Sequence, residues 1–236
     1  MRSTRRTATV AGTFFLVAAA ASIPALGLFQ PVLGDAEYVL GAGADGRVLL
    51  GALLEIVTVL AVVGTGVALY PVVRRQHHAA ALGYALGRLM EGALIAVGLV
   101  AVLAVVTLRQ DGGGDDGARM VVQEALVAVK DWTFLLGPNV ALGVNTLLLA
   151  AILYRSGLVP RWIATVGLVG GPLILASGAA VLLGAYEQIS VVGTLAALPV
   201  FAWEMSLAVF LVAKGFRPAP GVAPAPPSGV ATPVPA

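Results

Sequence analysis

The sequence contains no cysteine among its 236 residues. This absence excludes a disulfide framework, a thiolate nucleophile and a thiolate metal site, and it leaves the redox compartment undetermined. Histidine is nearly as scarce, because the only two, His77 and His78, are adjacent and would diverge by about 100° on a helix. Two imidazoles in that geometry chelate one ion poorly, so we expect no metal site and no cofactor.

Charged residues are also few. They make up 11% of the chain, whereas hydrophobic residues make up 59% and the mean hydropathy is +0.96. A soluble domain carries about 25% charged residues. The formal net charge of +2 is too small to indicate nucleic-acid binding. Apolar runs of about 20 residues, the length that crosses ~30 Å of hydrocarbon, recur along the chain. The sequence therefore predicts an integral membrane protein whose main partner is the lipid bilayer.

The predicted fold is all-α, with six transmembrane helices. The first apolar segment continues past the small residues Ala18 to Ala21, which favours a retained helix over a cleaved signal peptide. Residues 1–216 form the spanning domain, and residues 217–236, rich in proline and alanine, are predicted to be a disordered cytoplasmic tail. The predicted spans are residues 8–29, 48–70, 79–108, 135–154, 162–185 and 191–213.

The stretch from Met120 to Tyr154 leaves two alternatives. It has no loop signal except Gly137-Pro138, and as one helix it would extend about 52 Å, well beyond the hydrocarbon. One alternative is an amphipathic helix on the outer face, carrying Lys130, followed by a span that begins near Leu135. The other alternative is one kinked helix. The first is favoured, so the predicted bundle includes an outer-face amphipathic helix.

Lysine and arginine are distributed unevenly over the connectors. Nine lie on the side of the N-terminal leader with no acidic residue among them, four lie on the other side, and Arg88 lies within the membrane. By the positive-inside rule both termini are cytoplasmic, which requires an even number of spans. The predicted location is the cytoplasmic membrane. The nine residues are Arg2, Arg5, Arg6, Arg74, Arg75, Arg155, Arg161, Lys214 and Arg217.

A small set of polar residues lies inside the predicted spans, where ionisable groups are costly and commonly functional. Counted from the cytoplasmic helix ends at about 1.5 Å per residue, Arg88, Asn145 and Glu204 lie about 15 Å deep. Glu91 and Glu55 lie about 20 Å deep by the same count. A lone charge that faces lipid at mid-bilayer costs at least ~2.5–3.5 kcal/mol. We therefore expect these side chains to meet in one buried polar layer.

Small residues recur at a spacing that lets helix backbones approach closely. Gly83-x-x-x-Gly87 precedes Arg88, and Gly167-x-x-x-Gly171 lies in the fifth span. The pattern predicts close helix contacts beside the polar layer.

Three stretches of the chain resemble a known family. They are GRLMEG at residues 87–92, YRSGLVPRW at residues 154–162 and WEMSLAVFLVAKGF at residues 203–216. Together with the six-span layout, they are similar to the bacterial membrane-protein family catalogued as domain of unknown function 4386, over about residues 5–217. The resemblance implies no activity. It implies that the following residues occupy motif positions of the family: Arg88, Glu91, Pro160, Arg161, Trp203 and Glu204.

Three classes of function stay open. The favoured class is a structural or regulatory membrane subunit, in which the polar layer holds the bundle together and an unidentified protein is the partner. The second is a small transporter or a binding protein for an ion, a proton or a lipid. In that class Arg88 anchors an anionic group or a glutamate, and Glu55, Glu91 and Glu204 carry protons or coordinate cations.

The third class is an intramembrane enzyme that acts on lipid. It is the least supported, because the sequence has no H-E-x-x-H, G-x-S-x-G or P-loop motif, and no catalytic residue is assigned. A cavity around Arg88 would favour the binding or transport class, whereas a dry, close-packed layer would weaken it.

Overall fold

A computed structural model describes residues 2–218 of the chain, with side chains from residue 4 onward. Of the predicted tail, residues 219–236 lie outside the described residues. The part of the chain that the structure describes consists of helices and connectors, without a strand. Six of the helical stretches are long and apolar enough to cross a membrane. The predicted all-α fold of a multi-pass membrane protein is confirmed.

Eight α-helices are numbered here in chain order. Seven of them build the six spanning stretches, and α2 is a single turn after the first span. The bounds are α1 (Arg2–Leu28), α2 (Gln30–Leu33), α3 (Asp45–Val73), α4 (His78–Asp111), α5 (Asp116–Phe134), α6 (Leu142–Ser156), α7 (Arg161–Leu182) and α8 (Val191–Ala213).

The fourth spanning stretch is continuous from Asp116 to Ser156. Helix α5 passes into α6 through a π-helical segment, Leu135–Ala141, which contains Pro138. Proline lacks an amide proton, and an irregular turn of this kind is a common way for a helix to accommodate it. Of the two alternatives that the sequence leaves open, the continuous helix is therefore the one observed. Helix α5 packs on α4 and buries Lys130.

The spanning helices form a closed ring. Each packs on its neighbours in the order α1, α3, α4, α6, α7, α8 and back to α1. Arg5 at the start of α1 donates to the carbonyl oxygens of Val212 and Ala213 at the end of α8, at 2.9 and 3.0 Å. The backbone amide of Arg217 donates to the carbonyl oxygen of Leu158 at 2.8 Å. We call this end of the ring, where the start of α1, the α3–α4 and α6–α7 connectors and the end of α8 lie, the basic end.

Two apolar clusters fill the ring, one toward each end. Along α4 the members of the cluster near the basic end stop at Tyr84, and those of the other cluster begin at Leu99. Arg88 and Glu91 lie between them. The charged residues of α4 thus occupy the middle of the bundle, with close-packed apolar side chains above and below.

The connector between α2 and α3 is fixed at the opposite end by polar contacts. Arg109 forms a bidentate ion pair with Asp45, and its Nε lies 2.6 Å from Oδ1 of that residue. The hydroxyl of Tyr38 donates to the same carboxylate at 2.6 Å, and burial together with this acceptor raises the pKa of the phenol. Gln123 on α5 accepts from the backbone amide of Val39 at 3.0 Å. These contacts join the connector to α3, α4 and α5.

Glycines lie where the helices approach most closely. A Cβ atom on Gly170 would lie 2.8 Å from the backbone nitrogen of Val200, so α7 and α8 touch backbone to backbone at this point. A Cβ atom on Gly167 would lie 2.7 Å from the ring of Trp203. Gly171 faces Leu147 on α6 in the same manner. The Gly167-x-x-x-Gly171 spacing therefore serves two neighbouring helices at once.

Substituting Gly170→Ala is expected to destabilise the protein by about 1–3 kcal/mol, because the added methyl group has no space between the two backbones. Thermal unfolding in detergent, followed by tryptophan fluorescence, measures the effect. Gly27→Ala is the matched control, since a Cβ atom there meets nothing within 4 Å. Equal melting temperatures for the two variants would contradict the observed contact between α7 and α8.

Candidate functional site

Arg88 is the centre of a buried ion cluster. Its Nη1 lies 3.2 Å from Oε2 of Glu91, one helical turn further along α4, and its Nη2 lies 2.5 Å from Oε1 of Glu204 on α8. Arg88 and Glu91 are each 3% exposed, whereas the side chain of Glu204 is 19% exposed. Helices α4 and α8 are not neighbours in the ring. The pair between Arg88 and Glu204 therefore crosses the interior of the bundle.

Asn145 joins α6 to the cluster. Its Nδ2 donates to Oε2 of Glu91 at 2.8 Å, and its Oδ1 is buried without a hydrogen-bond partner among the described residues. A Cβ atom on Gly87 would collide with this side chain. The second small residue of the Gly83-x-x-x-Gly87 spacing thus provides the room that Asn145 needs.

Aromatic side chains from α4 itself and from α1 also contact the guanidinium. Its Nε donates to the hydroxyl of Tyr84 at 3.3 Å, and that hydroxyl donates to Oγ1 of Thr65 on α3 at 3.4 Å. The guanidinium carbon lies 5.2 Å from the ring centre of Phe15 on α1. Every nitrogen of Arg88 therefore has an acceptor, and the rings of Phe15 and Tyr84 both lie at cation–π distance.

The cluster contains one more acid than base. One guanidinium faces the carboxylates of Glu91 and Glu204, and Asn145 is neutral. When both carboxyl groups are ionised, the cluster carries one uncompensated negative charge, which attracts a cation strongly in an interior of low dielectric constant. The arrangement can therefore hold a positively charged group beside the carboxylate that is most accessible, which is that of Glu204.

A cavity of about 280 Å³ adjoins the cluster. Its volume lies near the lower limit of the roughly 300–1,000 Å³ found for small-molecule sites. The charged wall consists of Arg88, Glu91 and Glu204. The remaining walls are largely apolar. They come from α1, α3, α4 and α8, and from the stretch that runs from the end of α5 through the π-helical segment to the start of α6. The layer is thus not close-packed on all sides.

Glu55 lies outside this cluster, although the sequence predicts it within the same layer. Its Oε1 accepts from Nζ of Lys130 at 2.6 Å, and both residues are buried. The ammonium also lies 5.1 Å from the ring centre of Phe29. The polar residues of the spans thus form two groups, the Arg88 cluster and the Glu55–Lys130 pair.

The separation follows from helix register. Glu55 stands ten residues, about 15 Å, before Thr65, which belongs to the hydrogen-bond chain of Arg88. The predicted span ends at Tyr70, whereas α3 continues to Val73. Glu55 therefore lies further from the basic end than the depth expected from the sequence. The nearest cation to Glu55 is consequently not Arg88.

Lys130 was not predicted to be the partner of Glu55, because the sequence pattern indicates a surface helix for this residue. The one available signal is that Lys130 precedes an apolar span without an intervening loop. The phenylalanines that line the cavity have no distinguishing sequence pattern at all. They are Phe15, Phe134 and Phe201.

The remaining family-motif positions lie away from the charged wall. Trp203 is fully buried against Gly167, and its Nε1 has no hydrogen-bond partner in the described part of the chain. Pro160 is buried at the start of α7. Arg161 is exposed, with its guanidinium carbon 5.6 Å from the ring centre of Tyr154. Their positions indicate packing and helix initiation, and any further role stays a prediction.

Metal ligands are not grouped in the residues that the structure describes. No three histidine, aspartate or glutamate side chains among them come together in a way that could hold a metal ion.

Comparison with known proteins identifies one family. The family model described as Domain of unknown function (DUF4386) matches residues 10–215. No curated protein and no solved structure matches the chain. The matched region contains both polar groups and the cavity, and the match confirms the resemblance that the three sequence stretches indicate.

Substituting Arg88→Met is expected to destabilise the protein by about 3–5 kcal/mol, because it leaves two buried carboxylates without their cation. Adding Glu204→Gln to that variant should restore part of the loss by removing one of these charges. Thermal unfolding in detergent measures both effects. Arg155→Met, on an exposed residue in the last turn of α6, is the matched control, and equal stability of the two single variants would contradict the cluster.

The Glu55–Lys130 pair gives a separate expectation. Lys130→Met should also cost about 3–5 kcal/mol, since it strands the carboxylate of Glu55 in the interior. The double variant with Glu55→Gln should recover most of this loss. Because the two groups share no partner, the effects of Lys130→Met and Arg88→Met should add within about 0.5 kcal/mol. A clearly smaller combined effect would show that the groups are coupled.

Proposed function

The chain belongs to the family described as Domain of unknown function (DUF4386), and from this premise we propose that it binds a small molecule within the membrane. The proposed site is the cavity beside Arg88, Glu91 and Glu204. The observation that carries the proposal is that three ionisable side chains form one wall of a void inside the bundle. Binding followed by release to the other side would make the protein a small transporter.

The energetics of buried charge support this choice. Replacing a buried ion pair by well-packed apolar residues is often neutral or stabilising, so such a pair is weak evidence for a purely structural role. A structural cluster also has no need of an adjoining cavity, because voids in the interior reduce dispersion contacts. Ionisable residues inside a spanning bundle that adjoin a cavity are typical of ligand and ion pathways.

The wall presents Glu204 more than Arg88 to an occupant. The guanidinium already has acceptors at all its nitrogens, while Glu204 uses Oε1 for the ion pair and keeps its side chain partly exposed. We therefore assign Arg88 the role of holding the two glutamates in place. Glu204 is the group that would contact the occupant.

A structural or regulatory membrane subunit is the second candidate. The observation in its favour is that the charged groups join helices that are distant in sequence. Glu204 connects α8 with α4, Asn145 connects α6 with α4, and Lys130 connects α5 with α3. In this case the cavity would have no role, and a substitution that fills it would leave the function of the protein unchanged.

We also propose that the protein lies in the cytoplasmic membrane with its basic end in the cytoplasm. The nine basic residues of the leader side support this orientation through the positive-inside rule. Both described termini belong to the same end of the ring, as an even number of crossings requires.

A matched pair of substitutions on α1 tests the binding function. Ala19 lines the cavity, whereas the neighbouring Ala20 is exposed on the outer surface of the bundle. Ala19→Phe should fill the cavity and abolish ligand binding, and Ala20→Phe should leave it intact. The measurement is a thermal-shift screen of the purified full chain against a panel of small cationic, neutral and anionic amphiphiles.

The expected result is at least one compound that raises the melting temperature of the wild type and of Ala20→Phe but not of Ala19→Phe. If no compound does so, or if the shift persists in Ala19→Phe, the binding function is wrong. Full function of Ala19→Phe in a cell-based assay would then favour the structural subunit.

A further inference from the structure

The residues that line the cavity indicate which class of molecule it binds. We infer that it takes a lipophilic organic cation, which reaches Glu204 sideways from the bilayer through an opening between α1 and α8. This inference rests on the proposed binding function and deepens it. Four features carry it: the charge of the wall, the engagement of its hydroxyl protons, its aromatic lining and its exposure to lipid.

The charge of the cavity wall favours a cation. Of the residues that line the cavity, Arg88 is the one base, and Glu91 and Glu204 are the two acids. The Nη2 of Arg88 lies 2.5 Å from Glu204, and the other carboxylate oxygen of Glu204 has no hydrogen bond within the described residues. With both acids ionised, an anion meets two carboxylates beside one guanidinium, whereas a cation meets a net negative charge.

The hydroxyl groups of the wall offer no donor to an anion. Thr65 donates to the carbonyl oxygen of Val62 at 2.7 Å, and Thr58 donates to that of Leu54 at 3.1 Å. Ser22 likewise donates to a backbone carbonyl of its own helix, at 3.5 Å. With these protons engaged, the hydroxyl oxygens can only accept. The wall is therefore a set of acceptors apart from a guanidinium that is already paired.

The aromatic lining suits an organic cation rather than an inorganic one. Phe134 and Phe201 line the cavity, in addition to Phe15, whose ring already carries the guanidinium of Arg88. Ring faces attract substituted ammonium groups, and they cannot replace the water shell of a small metal ion. An occupant with an apolar body and one positive charge matches both kinds of wall.

The opening lies in the apolar part of the ring. Near the basic end α1 and α8 touch, because a Cβ atom on Gly12 would lie 2.7 Å from the carbonyl oxygen of Ala208. Further along, Ile23 on α1 and Phe201 on α8 line the cavity while they are 62% and 43% exposed. The cavity is partly open, and these two exposed side chains lie at its border with the outer surface. The accessible medium there is hydrocarbon.

Both helices carry a proline beside this opening. Pro24 follows Ile23 directly, and Pro199 precedes Phe201 by two residues. Each proline removes one helical hydrogen bond, and helices bend readily at such positions. The opening can therefore widen by local bending of α1 and α8, without separation of their contact at Gly12.

A set of three probes of similar shape tests the inference. The full chain is placed in lipid nanodiscs and titrated with benzyltrimethylammonium, with its neutral carbon analogue neopentylbenzene and with the anion benzenesulfonate. Titration of nanodiscs that contain the Ala19→Phe variant measures how much of each probe partitions into the lipid. This background is subtracted from the wild-type signal. The wild type should bind the cation at least about tenfold more tightly than either other probe.

The variants Glu204→Gln and Glu124→Gln separate the charge of the site from charge elsewhere. Glu204→Gln leaves Arg88 and Glu91 as a balanced pair, so the preference for the cation should fall to about threefold or less. Glu124 is exposed on α5 and does not line the cavity, so its substitution should change nothing. Size-exclusion profiles of the variants show whether each is folded.

The outcomes distinguish the inference from the function on which it rests. If the neutral probe or the anion binds as tightly as the cation above the Ala19→Phe background, the occupant class is wrong and the binding function stands. Retention of the cation preference in folded Glu204→Gln would also overturn the inference. If none of the three probes binds above background, the occupant class is again wrong, and the amphiphile screen decides the function.

The absence of cysteine allows a test of the lateral opening. Ser22→Cys lies at the opening, and Ala20→Cys lies on the lipid face of the same helix outside the cavity. Benzyltrimethylammonium should slow labelling of Ser22→Cys by the membrane-soluble reagent N-phenylmaleimide several-fold and leave Ala20→Cys unaffected. Equal labelling rates of Ser22→Cys with and without the cation would exclude this route.

Discussion

The pairing of buried charges in a medium that cannot solvate them is the constraint on which the rest of the structure depends. Arg88 meets carboxylates from its own helix and from α8, which lies across the ring. A guanidinium in hydrocarbon without such partners would cost several kcal/mol. The need to satisfy it fixes the rotation of α4, because the face that carries Arg88 and Glu91 must point inward. It also determines which face of α8 is internal.

A cavity adjoins this arrangement, and the proposed binding function rests on it. A bundle held together by charge alone would gain from close packing around the charges, since every void removes dispersion contacts. Here the ion cluster forms one wall of a space that is otherwise apolar and aromatic. Glu204 is less buried than Arg88 and Glu91, and it lies on one of the two helices between which we infer the lateral opening. Charge imbalance and access therefore coincide at one side chain.

The number of spanning helices and the polar residues within them could be predicted from the sequence for one reason: both properties are local. Hydropathy is summed over a window of residues, and a polar residue within an apolar run is conspicuous wherever it lies. The partner of Glu55 was not predictable in the same way. It depends on the register between α3 and α5. If a helix end differs from the predicted one by a few residues, this register shifts by a full turn. Lys130 was expected outside the bundle because the continuity of α5 with α6 has only one local signal, the lack of a loop between them.

Sequence alone thus determined that the chain crosses a membrane six times, that it belongs to its family and that Arg88, Glu91, Asn145 and Glu204 are internal. These conclusions follow from the composition of single segments and from their cost in hydrocarbon. Only the tertiary structure decided which charges meet, that the polar residues divide into two groups and that a cavity adjoins one of them. Contacts and voids arise between helices that are distant in sequence, and their geometry depends on side-chain shape on every facing helix at once.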